Sequence, residues 1–79
     1  MHDMSDCKIS NQLRRLRFEH GEMTQQELAE AIEVTRQTIN AIELGKYSPS
    51  LEVAFKIVAV LGVAIDDAFR YEGKPPRRR

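Results

Sequence analysis

Apolar residues recur at helical spacing in five stretches of this chain, and most stretches are bounded by a residue that starts or stops a helix. From Lys8 to Glu19 they fall at Ile9, Leu13 and Leu16, one stripe of a first helix that Gly21 ends. Thr24-Gln25-Gln26-Glu27 has the form of a capping box, with the Thr24 hydroxyl and the Glu27 carboxylate each taking the other's backbone N–H. It predicts a second helix running to Ile32, with Leu28 and Ile32 inward and Ala29 small enough for close backbone approach. After the Glu33-Val34 break, Thr35 is placed to cap a third helix, Arg36 to about Leu44, which Gly45 stops. Ser50 caps a fourth, with Leu51, Ala54, Ile57, Val58 and Leu61 on its stripe. Val53, Phe55 and Val60 widen that stripe, so this helix is expected to be the most buried, and Gly62 stops it. Ile65 to Arg70 reads as a last short helix, with Ile65, Ala68 and Phe69 apolar. No segment alternates with period 2 and there is no Asn-Gly hairpin signal. The expected fold class is all-α, a compact five-helix domain.

Length and composition narrow the picture. The 79 residues make one small domain, and 42% hydrophobic content is too high for a disordered chain. The expected divisions are a loose N-terminus over 1–7, a packed domain over 8–71 and a basic disordered tail over 72–79. The run Gly73-Lys74-Pro75-Pro76-Arg77-Arg78-Arg79 has nothing to bury. The zero net charge hides an asymmetry. With Lys74, Arg77, Arg78 and Arg79 set aside, eight bases face twelve acids in residues 1–73, a net charge of −4. Any nucleic-acid binding must therefore come from a local patch rather than from bulk charge.

Other function classes recede. Cys7 is the one cysteine, so no internal disulfide or cysteine-based zinc site is expected, which fits a reducing, cytoplasmic setting. The apolar stretch Val53 to Ile65 is broken by Lys56 and Gly62 and is too short to span a bilayer, so no membrane partner is expected. Asp3 and Asp6 and the lack of an apolar run argue against a signal peptide. His20 sits at a helix end, where terminal carbonyls are a better partner than metal. Asp66-Asp67 reads as first-turn acid on the fifth helix. No nucleophile–base arrangement, phosphate-binding glycine loop or metal-ligand spacing is found, so no enzyme and no cofactor are expected.

Two helices joined by a break of two or three residues suggest helix-turn-helix geometry. The pattern is Gln25-Gln26-Glu27-Leu28-Ala29, then Ile32-Glu33-Val34-Thr35, then Ile39, Ile42, Glu43 and Gly45, and the run from Thr35 to Leu51 continues it. Over roughly residues 9–70 the chain resembles the lambda repressor/Cro-type (Xre-type) helix-turn-helix regulators. The resemblance implies a lambda repressor-like domain whose second and third helices form the motif. It departs from the family pattern at Glu33, where a glycine is usual, and at Glu22, which looks like a one-residue insertion beside Gly21.

The third helix also speaks for itself. On a helical wheel Ile39 and Ile42 lie within about 60° of each other and define a buried face. Gln37, Asn40, Ala41 and Leu44 lie opposite, with Arg36 at the flank. That face suits the major groove: Arg grips guanine, Gln and Asn grip adenine, and Ala touches a thymine methyl. The bland alternative is a solvated face. The base-contacting candidates are Arg36, Gln37, Asn40 and Ala41. The phosphate-contacting candidates are Gln25, at a helix start, and Lys46, Tyr47 and Ser48 after the third helix. Tyr47 could instead cover the core. The resemblance further implies that Arg17 and Glu43 form a structural ion pair between the first and third helices.

The expected function is sequence-specific DNA binding by a transcriptional regulator, as a repressor working as a homodimer on an inverted repeat of double-stranded DNA. Phe69 and Tyr71 either close the core or make the dimer contact. The alternative is an antitoxin or protein-interaction module of the same fold, whose main partner is a protein; the net −4 body keeps that reading open.

Overall fold

Hydroxyl side chains set the starts of the three central helices. The computed structural model describes residues 8–74. In chain order it contains β1 (Ile9–Asn11), α1 (Leu13–Glu19), α2 (Gln25–Ile32), α3 (Arg36–Glu43), α4 (Leu51–Leu61), α5 (Ile65–Ala68) and β2 (Phe69–Tyr71). At the head of α2, Thr24 Oγ1 accepts from the Glu27 N–H at 3.0 Å and Glu27 Oε1 accepts from the Thr24 N–H at 2.8 Å. At the head of α3, Thr35 Oγ1 accepts from the Thr38 N–H at 3.2 Å, and at the head of α4, Ser50 Oγ accepts from the Val53 N–H at 3.2 Å. Each bond satisfies one of the donors that a helix start leaves without an internal partner. In α5 the Asp67 carboxylate accepts from the Ala64 N–H at 3.2 Å, so this first-turn acid works as a cap. Gly62 ends α4 at φ 69°, and Glu33 ends α2 at φ 62°, a left-handed conformation adopted without a glycine.

The fold is mostly helical but not all-α. Ile9, Ser10 and Asn11 pair antiparallel with Tyr71, Arg70 and Phe69, in that order, and form a two-stranded sheet. The first helix was expected from Lys8 and begins at Leu13; the last was expected to reach Arg70 and ends at Ala68. Asn11 supplies a physical reason for the late start. Its Oδ1 accepts from the Leu13 N–H at 3.1 Å, an Asx turn that satisfies the first helical donor and leaves Asn11 outside the helix, whose N-cap is Gln12. Beyond Ala68 the backbone turns extended at Phe69, and the freed backbone groups find partners in β1. Gln12 N–H donates to Ala68 O at 2.9 Å, and Glu72 N–H to Lys8 O at 2.6 Å, so the hydrogen-bonded frame reaches Glu72.

The core lies where α1 to α5 meet. Leu13, Leu28, Ile39, Ile42 and Ile57 are fully buried. Each contributes roughly 1.5–3 kcal/mol by leaving water. On α4, Ala54, Ile57, Val58 and Leu61 face inward, and Val53 and Val60 are half-buried. Phe55 does not widen the buried stripe as expected, being 54% exposed, and Leu51, expected on the stripe itself, is 70% exposed. On the wheel Phe55 stands about 110° from the centre of the buried stripe, outside what α2 and α5 cover. Among the described residues no helix is long and apolar enough to cross a membrane. The readings placed on 1–7, with Cys7, and on Arg77, Arg78 and Arg79 lie outside the described residues.

Candidate nucleic-acid interface

α3 divides its residues by side. Ile39 and Ile42 are buried in the core, which fixes how the helix can rotate. Arg36 and Gln37 in its first turn are exposed, Asn40 and Ala41 are half-buried, and Leu44 just beyond its end is exposed. Arg36 has no hydrogen-bond or ion-pair partner among the described residues. The outer side of the helix thus offers a guanidinium, two carboxamides and a methyl group, on a backbone anchored from behind.

A polar network holds the far end of α3. Arg17 Nε donates to Glu43 Oε2 at 2.6 Å, and Arg17 Nη2 donates to Glu43 Oε1 at 3.0 Å. Arg17 Nη1 reaches the Met23 carbonyl at 2.6 Å. The two side chains are 13% and 7% exposed, so this is a nearly dry pair joining α1 to α3. The Glu43 hydrogen bond pushes the Arg17 pKa above the ordinary arginine value, against the opposing effect of burial, and the guanidinium stays charged. Asn11 adds a second brace, its Nδ2 donating to the Ile42 carbonyl at 2.8 Å.

Gln25, the first residue of α2, belongs to the same network. Its Nε2 donates to Glu43 Oε1 at 3.1 Å and to Asn40 Oδ1 at 3.2 Å. The structure therefore brings Arg17, Gln25, Asn40 and Glu43 together. Lys46, Tyr47 and Ser48 sit apart from that network in the turn after α3, where Gly45 takes φ 75° and all three side chains are exposed. Phe69 is half-buried and packs against the core, whereas Tyr71 is 55% exposed. His20 is exposed at the end of α1. Among the described residues no three His, Cys, Asp or Glu side chains are placed to hold a metal ion.

Two features escaped the sequence reading. One is Asn11; an Asn two residues before the first buried leucine was an available Asx-turn signal. The other is the link from Gln25 to Asn40. No spacing rule announces it, because it joins side chains fifteen residues apart on two different helices.

Comparison with known proteins agrees with this geometry. Residues 13–67 match the helix-turn-helix family HTH_3. The chain is 52% identical over 64 residues to an uncharacterized HTH-type transcriptional regulator of Methanocaldococcus jannaschii, covering 81% of this chain and 96% of that one. It is 41% identical over 64 residues to the uncharacterized HTH-type transcriptional regulator YgzD of Bacillus subtilis, covering 81% and 96%. It is 37% identical over 68 residues to the control protein C.MunI of a Mycoplasma species, covering 84% and 92%. In fold it is similar to the crystal structure of a candidate DNA-binding protein from Bacteroides fragilis, with a TM-score of 0.71 over 78% of this chain and 98% of that one at 24% identity. These relatives are named as HTH-type transcriptional regulators and as a control protein. The chain belongs to the helix-turn-helix family of the lambda repressor/Cro (Xre) type.

Proposed function

We propose that this chain is a sequence-specific DNA-binding transcriptional regulator that reads an operator with α3 in the major groove. The observation that carries the proposal is the division of α3. Ile39 and Ile42 are buried on one side, while Gln37, Asn40 and Ala41 stand on the other side of the same two turns with Arg36 at its flank. Arg36 is free to grip the O6 and N7 of a guanine, Gln37 and Asn40 offer carboxamides to adenine, and Ala41 offers a methyl to thymine. The residues nearest the start of a recognition helix commonly reach furthest into the groove, which favours Arg36 and Gln37.

Phosphate contacts flank that face and set its register. At the start of α2 the backbone N–H groups of Gln25 and Gln26 lack helical partners and lie at the positive end of the helix dipole. Lys46, Tyr47 and Ser48 provide a charge and two hydroxyls on the other flank. The relatives named as transcriptional regulators, and the one named as a control protein, support regulation of transcription as the role. Repression is the form of it proposed here.

One module reads only a few base pairs, so the functional species is a homodimer with recognition helices roughly 34 Å apart on an inverted repeat. Tyr71, exposed on the outer strand, with Phe69 beside it, is the proposed contact. A second reading, a module whose main partner is a protein, is favoured by the exposed Phe18 and Phe55 on a body of net charge −4. Gln37→Ala with Asn40→Ala separates the two. Loss of sequence preference in a duplex-binding assay supports the DNA reading, and a partner that still binds with equal affinity supports the other.

A further inference from the structure

We propose that the Gln25 side chain is a specificity-determining positioning residue: it sets the orientation of the Asn40 carboxamide, and its own orientation is set by the Arg17–Glu43 pair. This inference rests on the DNA-reading function proposed above and changes the role of Gln25 within it.

The argument is one of donors and acceptors. The Glu43 carboxylate, clasped by Arg17 through two nitrogens, offers neighbours only acceptors. Gln25 can therefore face Glu43 only with its NH2 group, and Nε2 stands 3.1 Å from Oε1. The same nitrogen is 3.2 Å from Asn40 Oδ1. If the Asn40 carboxamide turned over, two NH2 groups would oppose each other in a half-buried place. Oδ1 is thereby held toward α2, and both Nδ2 hydrogens are left without a partner among the described residues.

Two consequences follow. Both hydrogens of Gln25 Nε2 are committed inside the protein, and its remaining Oε1 is an acceptor, which repels a phosphate oxygen. Gln25 thus meets the DNA backbone through its main-chain N–H and not through its side chain. Asn40, for its part, meets a base with its donor and acceptor in a fixed order. Adenine presents N6–H and N7 in a fixed order as well, so a locked carboxamide favours one base in one strand direction, where a freely turning one accommodates several.

The test is binding of full-length wild type, Asn40→Ala, Gln25→Met and the double variant to a panel of duplexes carrying every single substitution of the selected site. Gln25→Met keeps the main-chain N–H and the length of the side chain but removes the amide. Preference at the base pair whose discrimination Asn40→Ala erases should fall about three- to tenfold in Gln25→Met, the order of one lost amide hydrogen bond. The double variant should lose no more than Asn40→Ala alone. An equal weakening on every sequence, with preference at that pair intact, overturns the inference and returns the side chain to a phosphate contact or scaffold. A wild type that selects no sequence removes the DNA-reading function itself. A second measurement needs no DNA: NMR relaxation of the Asn40 Nδ2 group should show a rigid amide in wild type, mobile in Gln25→Met. An amide already mobile in wild type overturns the inference.

Discussion

Arg17 and Glu43 form a two-point ion pair across the interior, 2.6 Å between Nε and Oε2, which ties the first helix to the last turn of α3. With both side chains nearly excluded from water, removing one partner leaves a stranded charge. Glu43→Ala should therefore cost roughly 3–5 kcal/mol and lower Tm by more than about 10 °C. Thermal unfolding followed by circular dichroism checks this, and an unchanged melting curve would contradict the structural role. Because the Arg17 pKa is raised, its contribution is fully present below the ordinary arginine pKa and is lost only as pH climbs through a still higher value. The Arg17 charge should thus add no pH dependence to stability around neutrality.

Glu33 and Glu22 hold left-handed backbone at φ 62° and 57°. Side chains in that region carry a cost of order 1 kcal/mol that glycine avoids. Glu33→Gly should accordingly be neutral or stabilising, by up to about 1 kcal/mol in chemical denaturation. A marked loss would show that the turn between α2 and α3 depends on the Glu33 side chain.

How far the sequence announced this structure depended on the range of the forces involved. The starts of α2, α3 and α4 were legible because Thr24, Thr35 and Ser50 bond within three residues of themselves. Ile39 and Ile42 were legible as the inner side of α3 because their spacing alone puts them on one face. The sheet was not, because three-residue strands give no usable period and Ile9 meets Tyr71 across most of the chain. Phe55 was misplaced for a related reason: a run of apolar residues shows that α4 is buried but not where its cover ends. The Arg17–Glu43 pair was anticipated through the family resemblance, since nothing in the spacing of those two residues announces it. The extension of that network to Gln25 and Asn40 depends on side-chain reach between helices, which only the folded arrangement reveals.

The cap of α3 offers a graded test. Thr35 Oγ1 accepts from the Thr38 N–H, and the two hydroxyls are 3.0 Å apart. Thr35→Ala should cost about 1 kcal/mol of stability. Affinity for a selected site should fall with it, because the first turn carries Arg36 and Gln37. Loss of affinity without loss of stability would indicate that Thr35 touches the DNA directly.

The proposed dimer contact is open to a mass measurement. Tyr71→Asp places a charge on the outer strand at a position that is already exposed, so the fold should survive it. Sedimentation equilibrium should show wild type as a dimer and this variant shifted toward monomer. A monomeric wild type at every concentration would leave the inverted-repeat model without its second half.

The central claim is that α3 reads bases, and selection from a random duplex pool by the purified protein at moderate salt tests it most directly. The account predicts enrichment of an inverted repeat with half-sites about 10 base pairs or a multiple apart. That enrichment should disappear in Gln37→Ala with Asn40→Ala. A pool that shows no enrichment, with binding that fades steeply as salt rises, would contradict it and leave only sequence-independent phosphate attraction.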